Sequence, residues 1–232
     1  MPWHDATIGS AEMAMHLACS RARPDVEAVA HAHPQPLPGD AFVTNDPAGG
    51  GSHLPDITVV TPVHDDEGAL RFWVASRGHH AEIGGATPGS MPPFSTSIEQ
   101  EGVVLRAELL TRAGALEHET IMARLQHGPF PSRAPAENIA DLEAQLAANR
   151  RGVALLRSLC ERYGVQVVEA YMGHIQDDAC AAVTSAIAAL PDGSSTATEH
   201  LDDGTALAVR IDVCGAEMTI DLAGTATAHA GN

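Results

Sequence analysis

The chain has 232 residues, of which 44% are apolar and 19% charged, an ordinary composition for a globular protein. Thirty acidic residues against 13 basic ones give a formal net charge of −17 at pH 7. This balance excludes nucleic-acid binding through phosphate neutralisation, and an acidic membrane surface would repel the chain. All 13 basic residues are arginine, which excludes a phosphate-loop lysine, a Schiff-base lysine and a carbamylated lysine within this sequence.

Three further features predict the cellular setting. The four cysteines lie far apart and lack the CxxC spacing of zinc or redox motifs. The opening MPWHDATIGS has neither the basic nor the apolar region of a secretory signal, and no apolar run has membrane-spanning length. We therefore expect a cytoplasmic protein.

The first half of the sequence predicts a β-rich region. AEMAMHLA shows a weak helical pattern, and the proline-broken stretch after it predicts irregular structure. AFVT then predicts a short strand and NDPAGGG a loop. DITVVTPVH and ALRFWVAS predict two strands of a hairpin, with a turn at DDEG. The loop that begins RGHHAEIGG is long and rich in Gly and Pro, which favours a functional role.

The second half predicts two long helices followed by strands. Apolar residues at helical spacing follow Pro135, Gly164 is placed to end that helix, and a second helix spans about 166–190. The tight glycine turn between them predicts an antiparallel pair. DDGT and the alternating GAEMTIDLAG then predict a hairpin and a strand. No closing element follows, so we expect a truncated chain.

These elements predict an α+β fold, with a mainly antiparallel β region that carries a Gly- and His-rich site and a long antiparallel helix pair. We divide the sequence into three regions: 1–135, the β-rich region with the site; 136–190, the helix pair; and 191–232, the strands of an incomplete C-terminal region.

Two groups of metal-capable side chains lie at the two ends of the predicted hairpin. His53 and Asp56 are three residues apart before its first strand, and His79 and His80 follow its second strand. Antiparallel strands lie about 5 Å apart, so His53, Asp56 and one of the paired histidines form a plausible three-ligand site. Imidazole and carboxylate ligands suit Zn, Mn or Fe, and three ligands leave a position for water or substrate. Hydrogen-bonded loop histidines are the alternative interpretation.

Three neighbouring residues have several possible roles. Asp46 is a candidate ligand, general base or turn cap. Glu82 could orient a ligating histidine. Arg77 could bind an anionic substrate or pair with a surface acid.

Several blocks resemble the hydantoinase B/oxoprolinase family. They are GDAFVTNDPAGGGSHLPD, ASRGHHAEIGG, PGSMPPFSTSIEQEG, the helical RAPAENIADLEAQLAANRRGVALLRSLCERYG and the closing MTIDLAGTA. The resemblance extends from Pro38 over most of the chain. The family usually has Asp where Glu82 stands, and its members are commonly more than twice as long, so we expect a truncated member.

The resemblance implies a subunit of an ATP-coupled hydrolase that acts on cyclic amides such as hydantoins or 5-oxoproline. A hydantoinase A-like ATPase partner would activate the substrate, which implies a hetero-oligomer, and this chain would then open the ring. The family's metal ligands would correspond to His53, Asp56 and His79. We predict Asp46 and His80 as proton-transfer residues. The alternatives are a truncated, non-catalytic interaction or scaffold subunit and an ATP-dependent ketone carboxylase subunit.

We also predict that three residues bind the substrate or lie behind the metal ligands. They are Asn45, Arg77 and Glu82.

Overall fold

The computed structural model describes five stretches of the chain, residues 6–8, 11–18, 24–89, 92 and 94–227. The described residues form helices and antiparallel sheets, which confirms the predicted α+β fold class. Contacts between residues divide the chain into two compact units, residues 1–164 and residues 165–230. The three-part division of the sequence stays a prediction.

The first unit contains a sheet in which the described strands have the order β1-β2-β5-β4-β3-β6-β7, and every neighbouring pair is antiparallel. The strands are β1 (Ala6–Ile8), β2 (Ala11–Ala18), β3 (Ala41–Thr44), β4 (Asp56–His64), β5 (Leu70–His79), β6 (Glu108–Arg112) and β7 (Ala115–Leu116). The predicted strand AFVT is β3, and the predicted hairpin is β4–β5, so both are confirmed.

Helices cover both faces of this sheet. They are α1 (Pro24–Ala32), α2 (His118–Leu125) and α3 (Pro135–Tyr163). Because side chains alternate along a strand, Val43 and Val59 belong to the core with Leu142 of α3, whereas Phe42 and Val60 face α1. The central strand β4 is therefore buried on both faces, which explains its run of β-branched residues.

Two predictions about the N-terminal region are wrong. Residues 11–18 form strand β2, paired with β5, instead of a helix. The segment AEMAMHLA is rich in good helix formers, but pairing with a neighbouring strand overrides that weak local preference. Residues 24–32, expected to be irregular, form α1. Pro24 at its start with Asp25 and Glu27 in its first turn was the available helix signal.

Helix α3 packs on the β4–β5 hairpin through buried amides as well as apolar residues. The Nε2 of Gln145 donates to the carbonyls of Ile57 (2.9 Å) and Ser76 (3.2 Å). One turn later, the Nδ2 of Asn149 donates to the carbonyl of Val59 at 3.0 Å, and it lies 3.4 Å from the carbonyl of Val74. Each amide therefore joins α3 to both strands of the hairpin.

Helix α3 ends where the sequence predicts. Gly164 has φ +86°, a conformation that residues with a Cβ rarely adopt, and its N–H donates to the carbonyl of Cys160 at 2.8 Å.

The second unit contains a helix and a three-stranded antiparallel sheet. Its elements are α4 (Val165–Ala188), β8 (Gly193–His200), β9 (Ala206–Cys214) and β10 (Glu217–Asp221), with strand order β10-β9-β8. The predicted second helix and C-terminal strands are thus confirmed, while the antiparallel packing of the two long helices stays a prediction. Within the described stretches, no helix is long and apolar enough to cross a membrane.

Replacing Asn149, which is 0% exposed, tests the amide contacts of α3. We expect Asn149→Ala to lower the free energy of unfolding by roughly 1–3 kcal/mol, because strand carbonyls lose a buried donor. Urea unfolding provides the measurement. The matched control is Glu143→Ala at an exposed position of the same helix, which we expect to change stability by less than about 0.5 kcal/mol. Equal losses of stability in Asn149→Ala and Glu143→Ala would contradict a stabilising role for the Asn149 amide.

Candidate metal centre

The register of the β4–β5 hairpin brings together two of the residues predicted as metal ligands. Asp56 is the first residue of β4, and its cross-strand partner is His79, the last residue of β5. Opposed residues of an antiparallel pair have their Cβ atoms about 4.5–5.5 Å apart, within reach of a side-chain contact. The Nδ1 of His79 lies 3.1 Å from the Oδ1 of Asp56.

His53 reaches the other oxygen of the same carboxylate from the turn before β4. The N–H of Asp56 donates to the carbonyl of His53 at 2.9 Å, which closes this turn. The Nδ1 of His53 lies 2.9 Å from the Oδ2 of Asp56, and the rings of His53 and His79 have centroids 5.0 Å apart. The carboxylate therefore lies between two imidazoles, and one ligand atom from each residue falls within 4.8 Å of the others.

Solvent reaches this cluster mainly at His79. The side chain of His79 is 49% exposed, whereas those of His53 and Asp56 are 23% and 21% exposed. Two imidazoles and one carboxylate that solvent can reach match the donor set expected of a catalytic rather than a closed structural metal site.

His80 lies behind the cluster and is almost fully buried, with 1% exposure. Its N–H donates to the carbonyl of Pro55 at 2.8 Å, which joins the strand end to the turn before β4. Its Nε2 donates to the Oε1 of Gln145 at 3.1 Å, and its Nδ1 accepts from the Nδ2 of Asn138 at 3.2 Å. Burial lowers the pKa of His80 below its ordinary value, against the raising effects of Gln145 and Asp141. The ring is therefore neutral near pH 7.

Glu82 binds the chain just before α3. Its carboxylate accepts from the hydroxyl of Ser132 and from the main-chain N–H groups of Gly84 (2.7 Å), Arg133 (3.1 Å) and Ala134 (3.1 Å). The N-cap residue Ala134 has no capping side chain, so Glu82 places a carboxylate at the start of the helix from outside it. Burial raises the pKa of Glu82, but these four hydrogen bonds together lower it below its ordinary value.

Arg77 joins the glycine-rich loop to its surroundings. Its guanidinium donates to Asp25 Oδ2 (3.0 Å), Thr58 Oγ1 (3.0 Å), Ser52 Oγ (3.2 Å) and the carbonyl of Gly50 (3.3 Å). Asp25 is 1% exposed, so this ion pair links α1 to β5 in a largely buried position. The contacts therefore give Arg77 a role in holding the loop next to His53.

Asn45 is 0% exposed and connects main-chain segments. Its Nδ2 donates to the carbonyls of Leu54 (2.8 Å) and Val103 (3.0 Å), and its Oδ1 accepts from the N–H of Leu105 (2.6 Å). Asn45 thus fixes the main chain at Leu54, the residue after His53, by a buried hydrogen bond.

Asp46 lies two residues beyond the end of β3, at the same end of the sheet as the start of β4. Its Oδ1 caps a short turn by accepting from the N–H of Ala48 at 3.1 Å, and its Oδ2 pairs with the Nε of Arg106 at 3.0 Å. Its side chain is 17% exposed. The turn-cap role, one of three considered for this residue, is thus present.

The sequence does not single out two residues that contact His80, Asn138 and Gln145. Both are polar residues on the apolar face of α3, seven residues apart and therefore on the same side of the helix. That interruption of an otherwise apolar face was the available signal. Gly78 accommodates the amide of Gln145, since a Cβ there would lie only 3.2 Å from its carbonyl carbon.

The family model described as hydantoinase B/oxoprolinase matches residues 4–232. The chain belongs to the hydantoinase B/oxoprolinase family. 5-Oxoprolinase 1 of Arabidopsis thaliana is 42% identical over 221 residues, covering 84% of this chain and 17% of that protein. The chain therefore spans less than a fifth of that relative.

A caprolactamase also matches, in sequence and in structure. Caprolactamase subunit beta of Pseudomonas jessenii is 33% identical over 165 residues, covering 71% of this chain and 28% of that subunit. The crystal structure of the ATP-dependent caprolactamase from Pseudomonas jessenii superposes with a TM-score of 0.75 at 29% identity, covering 85% of this chain and 34% of that one. The names of these relatives describe enzymes that act on cyclic amides.

Acetone carboxylase, in a nucleotide-free structure, shares the fold. Its TM-score is 0.74 over 87% of this chain and 28% of that one, at 15% identity. At this identity the likeness concerns the fold alone.

The hydrogen bonds to Glu82 predict a pH-dependent contribution to stability. A carboxylate with a lowered native pKa stabilises the fold above the unfolded value of 4.5, and this contribution is lost as the pH falls through the native value. We expect Glu82→Gln to cost roughly 1–3 kcal/mol at neutral pH, where the ionised acceptor is lost. Below pH 4.5 the difference between wild type and variant should shrink. Urea unfolding at neutral pH and below pH 4.5 measures the difference in the free energy of unfolding between wild type and variant.

The matched control is Glu143→Gln, an exposed glutamate of α3. We expect it to leave the free energy of unfolding within about 0.5 kcal/mol at both pH values. A penalty for Glu82→Gln that stays constant with pH would refute the role of the ionised carboxylate.

Proposed function

We propose that this chain is the metal-dependent part of an ATP-coupled hydrolase that opens a lactam or hydantoin ring. A hydantoinase A-like ATPase partner would activate the cyclic amide, and the two chains would form a hetero-oligomer. The single observation that carries the proposal is the Asp56 carboxylate held between the Nδ1 atoms of His53 and His79.

The cluster fits a divalent cation. The Asp56 oxygens lie 2.9 and 3.1 Å from the two Nδ1 atoms. Two ligand atoms bound to one ion at about 2.1 Å lie at most about 4.2 Å apart. The ligand atoms of His53, Asp56 and His79 lie within 4.8 Å of one another, so a small closing movement would let them share an ion. Nitrogen and oxygen donors without a thiolate suit Zn, Mn or Fe. When bound, such an ion would polarise a carbonyl or phosphoryl oxygen, or lower the pKa of a bound water.

The residues around the cluster would have separate roles in this reaction. Asp46 is the candidate for proton transfer, since it is a partly exposed carboxylate at the same end of the sheet. His80 is neutral, buried and hydrogen-bonded at both ring nitrogens, which favours positioning of His79 over the proton transfer predicted from the sequence. Arg77 and Asn45 would hold the loop that carries His53.

The requirement for a partner is supported by the chain's own composition. The matching caprolactamase is described as ATP-dependent. The sequence has no lysine, so a phosphate-loop motif is absent from these 232 residues. ATP would therefore be bound by a different chain or segment. The sequence relatives point to cyclic-amide hydrolysis, whereas the likeness to acetone carboxylase, being one of fold alone, does not favour the carboxylase alternative.

Metal content tests the site directly. We expect the purified chain to contain Zn, Mn or Fe near one equivalent, measured by mass spectrometry of the metal. Substitution of a residue that only hydrogen-bonds to a metal ligand typically lowers metal affinity about 10- to 100-fold. Loss of a ligand itself should cost more, so we expect His53→Ala and His79→Ala each to reduce metal affinity by at least about 100-fold. The matched control is His127→Ala, an exposed histidine outside the cluster. Equal metal content in the wild type and the three variants would refute the proposed metal site.

Coupled activity tests the reaction. With a hydantoinase A-like ATPase, ATP and 5-oxoproline, caprolactam or hydantoin as alternative substrates, we expect ring opening that depends on both chains. His53→Ala should reduce it to background, while His127→Ala should leave it unchanged. Ring opening without ATP would refute the coupling. Joint consumption of a ketone and bicarbonate would instead identify the carboxylase reaction.

A further inference from the structure

A cavity lies at the opposite end of β4 from the candidate metal centre. Its volume is about 220 Å³, and its lining includes Asp40, His64, Thr111, Arg150 and Arg157. β4 runs from Asp56 to His64, and eight steps of about 3.3 Å place the two sites roughly 26 Å apart. The cavity is therefore separate from the site described above.

Two arginines of α3 form the helical wall of this cavity. Arg150 and Arg157 are seven residues apart, which places them on one side of the helix about 10 Å apart along its axis. The Nη2 of Arg157 donates to the carbonyl of His64 at 3.1 Å, and the Nη2 of Arg150 lies 3.4 Å from the carbonyl of Gly114. Both partners are neutral, so these contacts orient the guanidinium groups without neutralising them.

Most arginines that the structure describes pair with an acidic residue, whereas Arg150 and Arg157 do not. Acidic residues outnumber arginines 30 to 13 in the sequence, and among the residues that the structure describes seven arginines form ion pairs with Asp or Glu. The paired arginines are Arg71, Arg77, Arg106, Arg112, Arg124, Arg133 and Arg210. In the part of the chain that the structure describes, no carboxylate lies within ion-pair distance of Arg150 or Arg157. Neither guanidinium group is thus neutralised by a direct ion pair.

The acid in the lining, Asp40, is already occupied. Its Oδ2 accepts from the N–H of Leu37 at 3.0 Å, and its Oδ1 accepts from the N–H of Ala113 at 3.2 Å. Asp40 is 8% exposed, and its carboxylate joins its own turn to the turn between β6 and β7. Two guanidinium groups and one carboxylate leave the cavity with an excess of one positive charge.

We propose that this cavity binds a small anion through phosphate or carboxylate oxygens held by Arg150 and Arg157. Guanidinium groups bind these oxygens in a bidentate manner and are the usual choice for them. Each guanidinium has five N–H donors, and only its Nη2 is used in the contacts above. The remaining donors of the two residues are available to a ligand. The proposal concerns a second site and is independent of the reaction at the candidate metal centre.

Calorimetric titration of the 232-residue chain tests this site. Inorganic phosphate and succinate are titrated separately at constant ionic strength, and the tighter-binding probe identifies the preferred oxygens. Loss of a hydrogen bond to a charged group weakens binding by at least about tenfold, so Arg150→Gln and Arg157→Gln should each do so. The matched control is Arg151→Gln, an exposed arginine of the same helix that does not line the cavity. It should change the affinity by less than about twofold.

Two results would overturn the proposal. One is the absence of saturable binding of both probes at millimolar concentration. The other is a loss of affinity in Arg151→Gln equal to that in the cavity variants, which would indicate non-specific attraction. Circular dichroism and thermal unfolding check that each variant folds. If Arg157→Gln is unfolded, Arg150→Gln decides the outcome, because its longer contact makes it the less structural of the two.

Discussion

The amides of α3 on the β4–β5 hairpin are the contact on which the candidate site depends. Gln145 and Asn149 donate to carbonyls of both strands, and a buried amide without partners costs roughly 1–3 kcal/mol. A shift of the helix by one residue would rotate these side chains by about 100°, away from the strands. One register of helix against hairpin is therefore strongly preferred. That register also places Asn138 and Gln145 on the two ring nitrogens of His80.

The hairpin and the grouping of its end residues could be predicted from the sequence because the signals are local. A β-branched run, a turn at DDEG and an aromatic return strand define the hairpin without tertiary information. Once the strands pair, the residues at its open end must come together, and the structure places His53, Asp56 and His79 in one cluster. Whether the cluster holds a metal ion stays a prediction, because spacing determines proximity and not occupancy.

Other features depend on distant partners and could not be predicted. Residues 11–18 resemble a helix until β5 is available to pair with them. His80 stands beside His79 in the sequence and looks equally accessible, yet Asn138 and Gln145 of the distant helix α3 contact both of its ring nitrogens, and it is 1% exposed. For Arg77 the sequence leaves an anionic substrate or an acidic partner open, and the structure supplies the acid as Asp25, 52 residues earlier. In each case the deciding contact comes from a remote part of the chain.

The length of α3 has a mechanical consequence. One uninterrupted helix contacts His80 through Asn138 at one end of the hairpin and His64 through Arg157 at the other. These positions are 19 residues apart, or about 28 Å along a rigid rod. A tilt or slide of α3 that displaces Arg157 must therefore also displace Asn138, which contacts His80. Any influence of one end on the other would be reciprocal in binding free energy, as linkage requires.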